Sequence, residues 1–119
     1  MKVNELMIGD LVSVNGLKLK VGAIHADEIG VFDPDYKIYW CSDDGLDRID
    51  PIPLTESILV KNGWRKESTT IDGDYANWHG EIPICQEENE FNYERIELTH
   101  VHTLQHLLRL VGIEKEIEL

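Results

Sequence analysis

Two imidazoles four positions apart, His102 and His106, form a spacing by which one helix can ligate a metal ion from one face. A catalytic zinc needs a third protein ligand. On a helical wheel His100 falls about 160° from His102, and Arg109 stands beside the pair with a cation that opposes metal. Both histidines are therefore expected to be structural or solvated. Asp43, Asp44, Asp47 and Asp50, with Asp33 and Asp35 upstream, are oxygen-rich, but their spacing misses the Asp-x-Asp-x-Asp-Gly series of a calcium loop. Solvated turns account for them. Cys41 and Cys85 lie in apolar, strand-like segments with no C-x-x-C spacing, and are expected to be buried free thiols. Neither a G-x-S-x-G elbow nor a phosphate-binding glycine loop occurs, so no catalytic residue, metal ligand or cofactor is assigned.

The elements that would position any site follow from turn chemistry and hydrophobic period. Residues 12–14 and 17–21 flank Asn15-Gly16, the pair that supplies the positive φ angles of a type I′ hairpin turn. In that register Val14 faces Leu17 and Val12 faces Leu19, which puts four apolar side chains on one face. Gly22 breaks the alternation and predicts a bulge that turns Ile24 inward. Further strands are expected at 28–32 and 36–41, with a turn at Asp43-Asp44-Gly45. So many short strands predict an SH3-like small barrel over residues 1–51.

Residues 52–119 are expected to complete a single α+β domain as a helix, an antiparallel meander and a C-terminal helix. Thr55 is the predicted N-cap of a helix over 56–62, with Leu54 stapled onto Leu59 and Gly63 as the left-handed stop. Strands are predicted at 64–67, 75–78, 82–86 and 91–98, with turns at Asp72-Gly73 and over 87–90. Thr99 is the predicted cap of a helix over 100–111, stopped by Gly112. Taking 100° per residue, Val101, Leu104, Leu107, Leu108 and Val111 form its apolar stripe, while His102, Gln105, His106 and Arg109 share the polar face. The tail 116–119 alternates and predicts an edge strand.

A 119-residue chain is one domain's worth of core, and its charge of −12 at pH 7 is spread over both halves. That balance repels phosphate backbones and anionic lipid, so no membrane partner is expected, and nucleic acid is an expected partner only if Lys18, Lys20 and Lys37 converge on the barrel. No apolar run reaches the roughly 18 residues of a spanning helix and no signal-peptide core opens the chain, so a cytoplasmic location is expected.

Three segments carry a resemblance. Asn4-Glu5-Leu6, Ile8-Gly9-Asp10 and Val12; then Ile52, Leu54-Thr55-Glu56, Leu59 and Gly63-Trp64; then Val101-His102, Leu104-Gln105 and Leu107 together resemble a family of small uncharacterised bacterial and phage-type proteins. The resemblance implies a mobile-element or accessory setting and transfers no catalytic residue. Residues 65–98 lie outside it.

The function expected from these readings is a non-enzymatic protein-interaction module. Another protein would be recognised by the face of His102, Gln105, His106 and Arg109 with nearby aromatics, among them Tyr39 and Trp78. One alternative is an acidic mimic of nucleic acid that occupies a basic groove. A second is a metal-assisted hydrolase using His102 and His106.

Overall fold

The structure, a computed structural model, describes residues 3–33, 35, 37–42, 47–68 and 75–119. The turns predicted at Asp43–Gly45 and Asp72–Gly73, and Tyr36 at the start of one predicted strand, lie outside the described residues. The chain forms two compact units, Met1–Ile52 and Pro53–Leu119. It is mostly β: each unit is built on a five-stranded antiparallel sheet, and both α-helices belong to the second.

The first unit contains β1 (Leu11–Val14), β2 (Leu17–His25), β3 (Glu28–Phe32), β4 (Ile38–Ser42) and β5 (Ile49–Pro51). Asn15 and Gly16 take φ +52° and +86°, and Val14 pairs Leu17 while Val12 pairs Leu19, the predicted hairpin register. Val12 and Val14 are buried and Leu19 packs against them, but Leu17, at the hairpin tip, is exposed. The β2–β3 register shifts between Val21 and Ala23, as the bulge at Gly22 requires. A Cβ on Gly22 would meet the Phe32 ring at 2.5 Å, so the bulge also makes room for that ring. Ile24 pairs with the buried Ile29 and so takes the core parity, though it stays exposed. Asp10 is fully buried; its carboxylate accepts the Met7 amide at 2.8 Å and its carbonyl accepts the Val21 amide, which clamps the N-terminal segment to β2.

The expected SH3-like barrel is not what forms. The strand order is β4-β3-β2-β1-β5, with β4 and β5 at opposite edges of an open sheet. Closure would require these two strands to pair. β5 has three residues and ends in Pro51, which has no amide hydrogen to donate to a ladder. The α+β expectation is corrected with it, to two unclosed antiparallel sheets with two helices.

In the second unit α1 (Glu56–Lys61) begins at Thr55, whose side chain accepts from the Ile58 amide at 3.3 Å. It ends in a Schellman motif. Gly63, at φ +93°, bonds Val60 and the Trp64 amide bonds Leu59. β6 (Arg65–Ser68), β7 (Tyr75–His79), β8 (Ile84–Glu87), β9 (Glu90–Tyr93) and β10 (Ile96–Glu97) follow as a meander in the order β10-β9-β8-β7-β6. The predicted strand over 91–98 divides because Glu94, at φ +55°, turns the chain between Tyr93 and Ile96. Ala76, Trp78, Ile84, Gln86 and Phe91 face inward. Trp78 packs edge-on to Phe91 and its indole N–H donates to Gln86 at 2.8 Å.

α2 spans Val101–Leu110 and its N-cap is His100, not Thr99. The Thr99 hydroxyl lies 3.2 Å from His100 Nδ1, within one hydrogen bond of the neighbouring ring. Gly112, at φ +82°, and Ile113 close the helix with a second Schellman pair. The tail adds no strand. Its backbone at Glu118 is held instead by the Asn62 side chain, which donates to the carbonyl and accepts from the amide, each at 2.7 Å. Lys115 pairs Glu81 at 2.7 Å and lies over the Trp64 ring. No helix among the described residues is long and apolar enough to cross a membrane.

Candidate functional site

The predicted recognition face on α2 is largely covered. His102 and Gln105 are only 8% and 7% exposed; His106 is half-buried and Arg109 exposed. The amphipathic pattern separates apolar from polar side chains by transfer energy, and is silent on which polar ones other chain segments cover. His100 also departs from the wheel. As an N-cap with extended backbone it leaves the helical path, and its ring stacks on His102 at a centroid distance of 5.6 Å and 6° between planes. His102 meets His106 edge-to-face at 5.6 Å. The rings therefore form a packed row rather than a converging ligand set. Among the described residues no three of His, Cys, Asp or Glu are placed to hold a metal ion.

The predicted aromatic surface also divides. Trp78 is 1% exposed, a core residue rather than part of an interaction face, while Tyr39 and Tyr75 are accessible. Tyr75 lies on the solvent side of the second sheet, beside a shallow depression of about 480 Å³ lined with Asn77, Cys85, Glu87, Glu90 and Glu94. Its hydroxyl donates to Glu87 at 3.0 Å. Cys85 is exposed, against expectation. Ile84 and Gln86 take the inward parity of β8, which leaves Cys85 outward with Asn77 as its acceptor at 3.6 Å. Among the described residues no imidazole lines this depression, and the ionisable side chains beside the thiol are those of Tyr75, Glu87, Glu90 and Glu94.

In the first unit, β4 is where apolar side chains meet solvent in a row. Ile38, Tyr39 and Trp40 are 40%, 47% and 46% exposed on a strand that, among the described residues, has a neighbour on one side only. They occupy both faces of the sheet. Ile38 pairs Phe32 and Trp40 pairs Gly30 on the outer face, while Tyr39 shares the core parity of Val31 and Cys41. A Cβ on Gly30 would sit 2.7 Å from the Ile38 Cγ2 atom and 3.5 Å from Trp40 Cε3. The missing side chain thus lets Ile38 and Trp40 lie across the sheet towards Ala23, as one apolar ledge.

The other face of β4 carries a carboxylate. The Tyr39 hydroxyl donates to Asp47 at 2.7 Å, and that bond with the carboxylate's charge raises the Tyr39 pKa. Asp47 also accepts from the Asn15 side chain at 2.9 Å. Burial, and then the charges of Asp47 and Glu28, push the Cys41 thiol up to about 11. Its sulfur donates to the Ile29 carbonyl at 3.7 Å.

Compared with known protein families, curated proteins and solved structures, the chain matches none. The interaction face expected from sequence includes Tyr39 but not its neighbours Ile38 and Trp40. A signal existed: three consecutive large apolar residues in a strand must put at least one on each face, and a sheet covered on one side leaves one parity in water.

Proposed function

We propose that this chain is a non-enzymatic protein-interaction module and that its partner binds β4, at Ile38, Tyr39 and Trp40. The observation that supports this reading is the exposure of three adjacent large apolar side chains on an edge strand. Isolated exposed apolar residues are ordinary, whereas a contiguous patch at a sheet edge is costly to leave wet. The accessory setting implied by the family resemblance accords with a module that acts through a partner. Affinity capture from native cells, run in parallel with the chain and its Trp40→Ala variant, tests the reading. A protein retained by the first and lost by the second is expected. Copurification of a small molecule with no Trp40-dependent protein would refute it.

One observation favours the acidic-mimic reading for the second unit. Glu87 pairs Glu90 directly, and Glu97 stands opposite Asn92, so carboxylates gather on the sheet's solvent face. Such a face would bind a basic groove in a strongly salt-dependent manner. Glu87→Gln with Glu90→Gln should weaken capture of that partner, and salt-independent capture would refute the reading.

A further inference from the structure

We propose that β4 accepts an extended segment of the partner as a sixth strand of the first sheet, and that this segment alternates apolar and basic side chains. The inference rests on reading β4 as the interaction site, and adds the mode of binding and the chemistry of the ligand.

The backbone argument begins at the turn before β4. The Asp33 amide donates to the Lys37 carbonyl at 2.9 Å, and Asp33 Oδ1 accepts from the amides of Asp35 and Lys37. Residues 33 and 37 are thus a hydrogen-bonded pair of the antiparallel ladder. Hydrogen-bonded and non-bonded pairs alternate, so Tyr39 and Cys41 bond β3. Ile38, Trp40 and Ser42 direct their N–H and C=O groups away from it, to the side where β4 has no strand neighbour among the described residues.

The four edge strands among the described residues are not equivalent. β5 is three residues long and ends in proline, β10 is two residues long, and β6 carries Arg65, Lys66 and Glu67. Short length, proline and charge are the devices that keep an edge from pairing. β4 has none of them: it runs five residues, Ile-Tyr-Trp-Cys-Ser, with no charge and no proline. It is the edge suited to strand addition.

Side chains of an added strand would point alternately to the two faces of the sheet. On the outer face they meet the ledge of Ile38 and Trp40, which suits apolar residues. On the other face they meet the Tyr39 ring, with Asp47 bonded to its hydroxyl. A lysine or arginine there is drawn by the carboxylate and by the ring. The same charges disfavour a second copy as occupant. Pairing β4 with β4 would bring two sets of Glu28, Asp35 and Asp47 together on chains of charge −12.

The test uses the full chain and a capped heptapeptide of alternating lysine and valine. At ten times Kd, backbone amide exchange at Ile38, Trp40 and Ser42 should slow by about ten-fold, with no matching change at β5, β6 or β10. Salt should weaken binding, and an alternating glutamate–valine peptide should not bind. Several outcomes overturn strand addition: no binding at millimolar peptide, protection at another edge, or self-association of the free chain that Trp40→Ala abolishes. A peptide N-methylated at alternate residues that binds equally well, reported by Trp40 fluorescence with Trp40→Phe as control, also refutes strand addition. That result leaves β4 as the interaction site, whereas loss of Trp40 dependence in the capture experiment removes the site itself.

Discussion

Thiol reactivity separates the two cysteines by an amount the structure determines. Cys41 is 3% exposed, and burial with the nearby charges of Asp47 and Glu28 pushes its thiol up to about 11; Cys85 stands in water on the second sheet. Only the thiolate attacks a disulfide reagent. At pH 8 a thiol titrating at about 11 is ionised in about one molecule in a thousand, against roughly one in ten for the ordinary value of 9. The Cys41 thiol should therefore react about 100-fold more slowly in the folded chain than in urea from ionisation alone, and burial slows it further. Stopped-flow labelling with Ellman's reagent should give two phases. Cys85→Ala should remove the fast phase and Cys41→Ala the slow one. A raised thiol pKa also makes the folded state lose stability as pH climbs from about 9 towards 11, because the unfolded chain releases that proton first. Equal labelling rates for both thiols in the native protein would refute the burial and the charge argument together.

Other perturbations give opposite results at residues of the same type. Trp78→Ala should cost about 3–5 kcal/mol in urea denaturation, whereas Trp40→Ala, on the exposed edge, should fall within about 1 kcal/mol of the parent. Asn62→Ala removes the side chain that holds Glu118 and also bonds the Ile58 carbonyl at 2.8 Å, so a loss of about 1–3 kcal/mol is expected, with earlier exchange of the Glu118 amide. Glu56 is held below the usual carboxylate range by Lys66 and Gln86, and Glu81 by Lys115. Their contribution is present above the unfolded pKa of about 4.3 and is lost as pH falls through the lower folded values, so Lys115→Met should flatten the acid limb of a stability–pH curve.

What could be read without coordinates was local. Asn15-Gly16 imposed its hairpin and register because two adjacent residues supply the needed backbone angles, and Thr55 starts its helix while Gly63 and Gly112 stop theirs with bonds made within a few residues. The placement of His100 failed by a single position, yet that shift took its ring off the helical wheel and onto His102. The remaining differences concern what covers a side chain. His102 and Gln105 are polar and buried, Ile38 and Trp40 are apolar and wet, and Cys85 takes the outward parity of its strand. Barrel closure belongs to the same class. Whether β4 meets β5 depends on two strands that follow one another in sequence but stand at opposite edges of the sheet, and the local pattern of each is compatible with an open or a closed sheet. Chain-local hydrogen bonding was thus legible from residue order, while exposure, and with it the proposed interaction edge, arose only when distant strands had taken their places in the sheet.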